Sequence, residues 1–132
     1  MPRKKSKVKI LKEECKKLIY ELAIKWFGKE CEICGSTENL IVHHLVPRKL
    51  CKELIYEPLN LVVLCKKCHF ELHKKQNPFI VLKIASKRGR KWMKDLEKIF
   101  KEKRGAKYPS RVSFLSQAKS KLLILLERRN EN

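Results

Sequence analysis

Cysteine and histidine are concentrated in one window of the chain. All four histidines, His43, His44, His69 and His73, lie between residues 43 and 73, and Cys31, Cys34, Cys65 and Cys68 bracket or join that window. The four cysteines form two C-x2-C pairs. Two thiolates separated by two residues can bind one Zn2+ from a tight turn, and two such knuckles complete a tetrahedral all-thiolate site. A structural metal of this kind stabilises a domain too small to bury a large core. The stretch between the knuckles, residues 35–64, is longer than in many zinc fingers and leaves room for a functional insert. Cys15 and Cys51 fall outside the pairs and read as small core residues.

The histidines divide by spacing. His69 and His73 are four apart on a predicted helix, so they share a face and can grip one ion. His43 and His44 are adjacent on a predicted strand, so their side chains point to opposite sides. One of the two can complete a metal site with His69 and His73. The other, left unligated beside a metal, has the chemistry of a general base near neutral pH. A second structural zinc site, or plain surface histidines, would account for the same spacing without catalysis.

The elements that must position these side chains follow from periodicity. Ile10, Leu11, Cys15, Leu18, Ile19, Leu22, Ala23, Trp26 and Phe27 repeat at helical spacing across residues 9–27, and Gly28 stands where a left-handed cap belongs. A knuckle at Cys31–Gly35 and a polar turn at 36–39 come next. Leu40–Val46 reads as a short strand stopped by Pro47, residues 48–59 as a long basic loop, and Leu61–Leu64 as a second strand. Lys66–Gln76 reads as a helix ending near Asn77-Pro78. Beyond it, Phe79–Lys87 makes one helix with Pro78 at its first position. Trp92, Leu96, Ile99 and Phe100 mark a second, and Leu115, Ala118, Leu122 and Leu125 a third, after breaks at Gly105 and Pro109. Lys119, Lys121, Arg128 and Arg129 are expected to be solvated.

Charge bounds the partners. The 132 residues carry 33 Lys+Arg against 14 Asp+Glu, a formal net charge of +19. Apolar residues make up 43% of the chain, which excludes a disordered polycation. Such a charge favours a polyanion, nucleic acid before anionic lipid. No stretch approaches the roughly 18–20 apolar residues of a spanning helix. No apolar signal core follows the basic N-terminus, so a soluble, cytoplasmic protein with no membrane partner is expected. Candidate phosphate contacts near the histidine window are Arg48, Lys49, Lys52, Lys66, Lys67, Lys74 and Lys75. Arg88, Arg90 and Lys91 form a second cluster around Gly89, and Arg3, Lys4, Lys5 and Lys7 a basic arm. No helix-turn-helix or finger array for reading bases is visible.

At this point the residues resemble a known family. His43-His44-Leu45-Val46-Pro47, then Asn60-Leu61-Val62-Val63-Leu64-Cys65, then Cys68-His69 and His73 are similar to the HNH endonucleases, the ββα-metal nucleases. The flanking C-x2-C pairs match the zinc-stabilised branch. The resemblance covers about residues 29–76. It implies that His44 is the general base activating water, that His43 and His69 bind the catalytic metal with His73 as a third ligand, and that Asn60 braces the loop between the strands. It further implies DNA phosphodiester hydrolysis leaving 5′-phosphate and 3′-hydroxyl ends. The cofactors would be a structural Zn2+ on Cys31, Cys34, Cys65 and Cys68 and one catalytic divalent ion. Imidazole ligands suit Zn2+ or Ni2+, whereas the family often works with Mg2+ or Mn2+.

The expected fold is therefore α+β and mostly helical. A small ββα-metal core with a four-cysteine zinc site is flanked by an N-terminal helix and two or three C-terminal helices. Its divisions are a basic arm (1–8), an N-terminal helix (9–28), the core (29–77) and a C-terminal helical extension (78–132), in one domain overall. A monomer or homodimer acting on DNA is expected. Two other readings fit parts of the sequence. A non-catalytic zinc-ribbon nucleic-acid-binding module explains the cysteines and the charge, but not Asn60 or the histidine pair. An interaction protein associating through the apolar face of residues 115–126 explains only that face.

Overall fold

The computed structural model describes residues 6–128; Arg3, Lys4 and Lys5 of the basic arm and Arg129 lie outside them. Helix α1 (Lys7–Phe27) starts at Ser6, whose side chain accepts from the Lys9 backbone N–H, and ends at Gly28 with φ +92°. That positive φ is open to glycine at little cost, and the Gly28 N–H closes the last turn on the Ile24 carbonyl. After the first cysteine knuckle come β1 (Leu40–His44) and β2 (Leu61–Cys65), paired antiparallel with Leu40 opposite Cys65 and His44 opposite Leu61. Helix α2 (Lys66–His73) follows β2 directly, then α3 (Pro78–Arg88), α4 (Arg90–Lys103) and α5 (Arg111–Glu127).

The two strands are covered on both faces. Leu61 and Val63 of β2 pack on one side with Cys15, Ile19, Leu22 and Ala23 of α1 and Leu122 of α5. Val62 and Leu64 pack on the other with Cys31, Cys65, Cys68 and, from α3, Ile80 and Ile84. All five residues of β2 are buried, which is why it reads as an unbroken apolar run rather than an alternating one. A third cluster joins Cys51 and Leu54 of the inter-strand loop to Leu96 of α4. Cys15 and Cys51 are thus core residues, 0% and 3% exposed.

The architecture is the expected one, mostly helical around a two-stranded sheet with four cysteines close together. Several local expectations need correction. Residues 48–59 are not plain loop: 3-10 turns form at Lys52–Leu54 and Pro58–Asn60, because Leu54 and Pro58 are drawn into the core. Helix α2 ends at His73 rather than Gln76, in a turn where the Asn77 N–H donates to the Glu71 carbonyl and Gln76 adopts φ +49°. The apolar face of α5 is spent internally. Leu115 and Leu122 are buried, and α5 is tied to α1 by the Lys119–Glu14 ion pair and by Lys25, which donates to the Leu126 and Arg128 carbonyls. That face is not a free association surface. Lys121 pairs with Glu57 at 2.9 Å while its side chain stays 51% exposed, solvated as expected.

Candidate metal centre and its flanking cavity

The first knuckle is a tight turn. The Gly35 N–H donates to the Cys31 carbonyl and the Cys31 N–H to the Ser36 carbonyl, with Gly35 at φ +77°. The second knuckle is the start of α2, where the Cys65 side chain accepts from the Cys68 N–H at 3.4 Å. Helix N-termini favour thiolates. The four sulfurs lie within 4.8 Å of one another, and Cys34 and Cys65 Sγ are 3.6 Å apart. That is far beyond the roughly 2.05 Å of a disulfide. It is close to the edge, about 3.8 Å, of a tetrahedron with Zn–S bonds of about 2.3 Å. All six cysteines are free thiols.

The charges of the four thiols bear on occupancy. Burial pushes the Cys31 thiol up, but hydrogen bonds from the Cys34, Cys65 and Ile33 backbone outweigh it and bring its pKa down to about 7. Cys68 is pushed well up, first by burial and then by hydrogen bonds with Cys31 and Cys65. One thiolate therefore forms readily and discourages its neighbours, and a dication relieves that repulsion.

On the α2 side of the sheet, His43, His69 and His73 come together. Ring centroids are 5.1 Å apart for His43–His69, 4.6 Å for His43–His73 and 4.7 Å for His69–His73. Their candidate ligand nitrogens all lie within 4.8 Å of one another. Burial, then the neighbouring histidines, pulls His43 down to about 4; burial and His73 lower His69 as well. Imidazoles must be neutral to ligate, so this donor set fits a divalent cation.

His44 faces away from that cluster. It shares strand parity with Leu40 and Val42, which pack toward α1 and α5. Its ring lines a cavity of about 760 Å3 between α1, the inter-strand loop and the start of α5. Burial lowers its pKa, partly opposed by a backbone hydrogen bond with Ile55. Its Nε2 is buried and has no hydrogen-bond partner among the described residues. Such an orphaned nitrogen calls for a water, an ion or a reacting group.

Asn60 is fully buried and closes the loop that begins beside His44. Its Oδ1 accepts from the Val46 N–H at 2.6 Å, and its Nδ2 donates to the Val46 and Leu54 carbonyls at 3.2 and 3.0 Å. Its own carbonyl accepts from the Leu45 N–H at 2.9 Å. Both ends of residues 45–60 are thereby stapled together.

Of the basic candidates, Arg48, Lys49, Lys52, Lys66, Lys67, Lys74, Lys75, Arg90 and Lys91 are exposed. Lys75 and Lys91 make surface ion pairs with Glu71 and Asp95, weak enough to yield to a phosphate. Arg88 is the correction. Its side chain is 6% exposed and grips Glu32, itself 2% exposed, through Nε and Nη2. It also donates to the Leu59 and Leu61 carbonyls and stacks 3.7 Å over Phe27. Four of the five Arg88 N–H donors are thus engaged inside the protein and the side chain is locked in the core, not displayed as a surface cation.

Sequence reasoning missed Glu32, an ordinary charged residue between two cysteines with nothing to mark its burial. It missed Lys12, Tyr56, Tyr108, Arg111 and Phe114 too, which reach the His44 cavity from three separate parts of the chain.

Residues 31–75 match the family model described as HNH endonuclease, and the four-cysteine cluster fits the zinc-stabilised variant of that family. Among curated proteins it is similar to the mitochondrial DNA mismatch repair protein mutS homolog of Sarcophyton glaucum, 38% identical over 52 residues. The match covers 36% of this chain, and the chain spans about 5% of that relative's length. No solved structure matches the chain. Among the described residues no helix is long and apolar enough to cross a membrane.

Proposed function

We propose that this protein is a metal-dependent endonuclease that hydrolyses DNA phosphodiester bonds. The observation that carries the reading is the division of β1. His43 joins His69 and His73 on one face, and His44 presents an unpartnered buried nitrogen on the other. His43, His69 and His73 would hold a divalent ion, which would supply Lewis-acid stabilisation of the phosphate and the leaving oxygen. The chain's own residues do the rest. His44 Nε2, neutral at pH 7, takes a proton from the attacking water as its oxygen bonds to phosphorus. The bond to the 3′-oxygen breaks, and that oxygen takes up a proton. Asn60 positions His44 by fixing Leu45 and Val46 immediately after it. The exposed basic residues of the loop and of α2 hold neighbouring phosphates. The four cysteines would hold a structural zinc that would set the start of α2, and with it His69 and His73. The name of the mutS relative supports DNA as the substrate.

Metal counting separates this reading from a non-catalytic zinc ribbon. Purified protein should bind two metal equivalents, one resistant to His69→Ala and one lost with it. A single equivalent, unchanged by His43→Ala or His69→Ala, would favour the ribbon.

A further inference from the structure

The cavity beside His44 has a composition of its own. Five cations line it: Lys12 from α1, Arg48 and Lys52 from the inter-strand loop, and Lys107 and Arg111 at the approach to α5. Glu53 is the one carboxylate among the lining residues, and it accepts from the Cys51 thiol. None of the five cations is in an ion pair among the described residues. The N-terminal end of α5 opens here as well, with no acidic residue in its first turn. Helix dipole and side chains together make a strongly anion-seeking chamber.

Charge is not its whole character. Phe114 is flanked by Tyr108 at 4.8 Å, edge to face, and by Tyr56 at 6.1 Å and 40°. A T-shaped contact occupies one ring face, so aromatic faces remain on the wall for a flat ligand. A volume of about 760 Å3 admits a small molecule or a single nucleotide and excludes a duplex. A nucleotide combines an anionic group with a flat π-face and fits such a volume.

We propose that this cavity receives one unpaired nucleotide of a DNA strand, its base against the Tyr108–Phe114–Tyr56 wall and its phosphates among the five cations, next to the phosphate presented to His44. The assignment rests on the nuclease reading for that last placement. It gives the protein a preference for DNA with an unpaired base, such as an overhang or flap, in a chain without a groove-reading element.

Binding tests it without requiring cleavage. Fluorescence anisotropy is measured on the full chain with no divalent ion added. Three labelled DNAs are compared: a blunt duplex, the duplex with a five-nucleotide overhang, and the same overhang made of abasic nucleotides. The two overhangs carry equal charge. The expected result is about tenfold tighter binding of the base-bearing overhang than of the abasic one, the scale of one stacked base. Tyr108→Ala should remove that preference and Tyr108→Phe keep it. Arg111→Ala should weaken both overhangs alike. Zinc content and circular dichroism report whether each variant folds. If Tyr108→Ala does not fold, Phe114→Leu takes its place. Equal affinity for the two overhangs overturns the proposal, as does a preference that survives loss of the aromatic wall. Competition by free dAMP with no overhang preference would assign the cavity to a diffusible nucleotide and overturn it too. A protein that cuts through His44 without overhang preference loses this inference and keeps the nuclease reading; one with the preference that never cuts does the reverse.

Discussion

His43 and His44 are adjacent, yet one meets two imidazoles and the other an empty-sided cavity, because a strand turns successive side chains to opposite faces. The same residue-level logic separates basic residues that are available from those that are not. Arg88 and Glu32 are buried together, and removing one partner strands a charge in the core. Arg88→Met is expected to destabilise the protein by about 3–5 kcal/mol in urea unfolding. It should leave the salt dependence of DNA binding unchanged, whereas loss of a true phosphate contact lowers that slope by about 1. For Asn60, truncation leaves the Val46 N–H and the Val46 and Leu54 carbonyls without their side-chain partner. Asn60→Ala should cost about 3 kcal/mol, on the scale of buried polar groups left unpaired, and should lower cleavage further than its melting temperature accounts for. Full activity in the stably folded variant would contradict its bracing role.

Among the elements, α2 is the junction. It begins at two cysteines of the candidate zinc site and carries two histidines of the other cluster within eight residues. Cys68→Ser, or a strong chelator, should therefore abolish the cooperative melt rather than trim activity, since structural zinc contributes folding free energy directly. Near-normal melting of Cys68→Ser would contradict a structural role. This coupling was legible in the sequence because knuckle spacing and the i,i+4 histidines are local patterns. So were the helices, marked by periodicity and by Gly28, Pro78 or Gly105, and the two strands, short apolar runs of which the first is stopped by Pro47. The burial of Arg88 was not legible. Its partners Glu32, Leu59 and Leu61 come from distant segments, and a lysine- and arginine-rich stretch around Gly89 looks like surface. The 3-10 turns at Lys52–Leu54 and Pro58–Asn60 were hidden for a similar reason: only tertiary contacts with α4 draw Leu54 inward.

For the whole molecule, the charge of +19 acquires a geography. One guanidinium is consumed in the core, five cations surround the His44 cavity, and others lie exposed along α2 and at the start of α4. If about six to eight phosphates are neutralised, log K for DNA should fall against log[salt] with a slope of about −5 to −7. A flat dependence would argue against this electrostatic footprint. The central claim is that a base and a metal cluster on opposite faces of one strand cut DNA. It is tested most directly by cleavage of supercoiled plasmid with Mg2+, Mn2+, Zn2+ or Ni2+, comparing the protein with folded His44→Ala. Metal-dependent nicking or linearisation by the first, reduced about 100-fold or more in the variant, is expected from loss of a general base. Equal cutting by both, or no cutting with any of the four ions, would contradict the account.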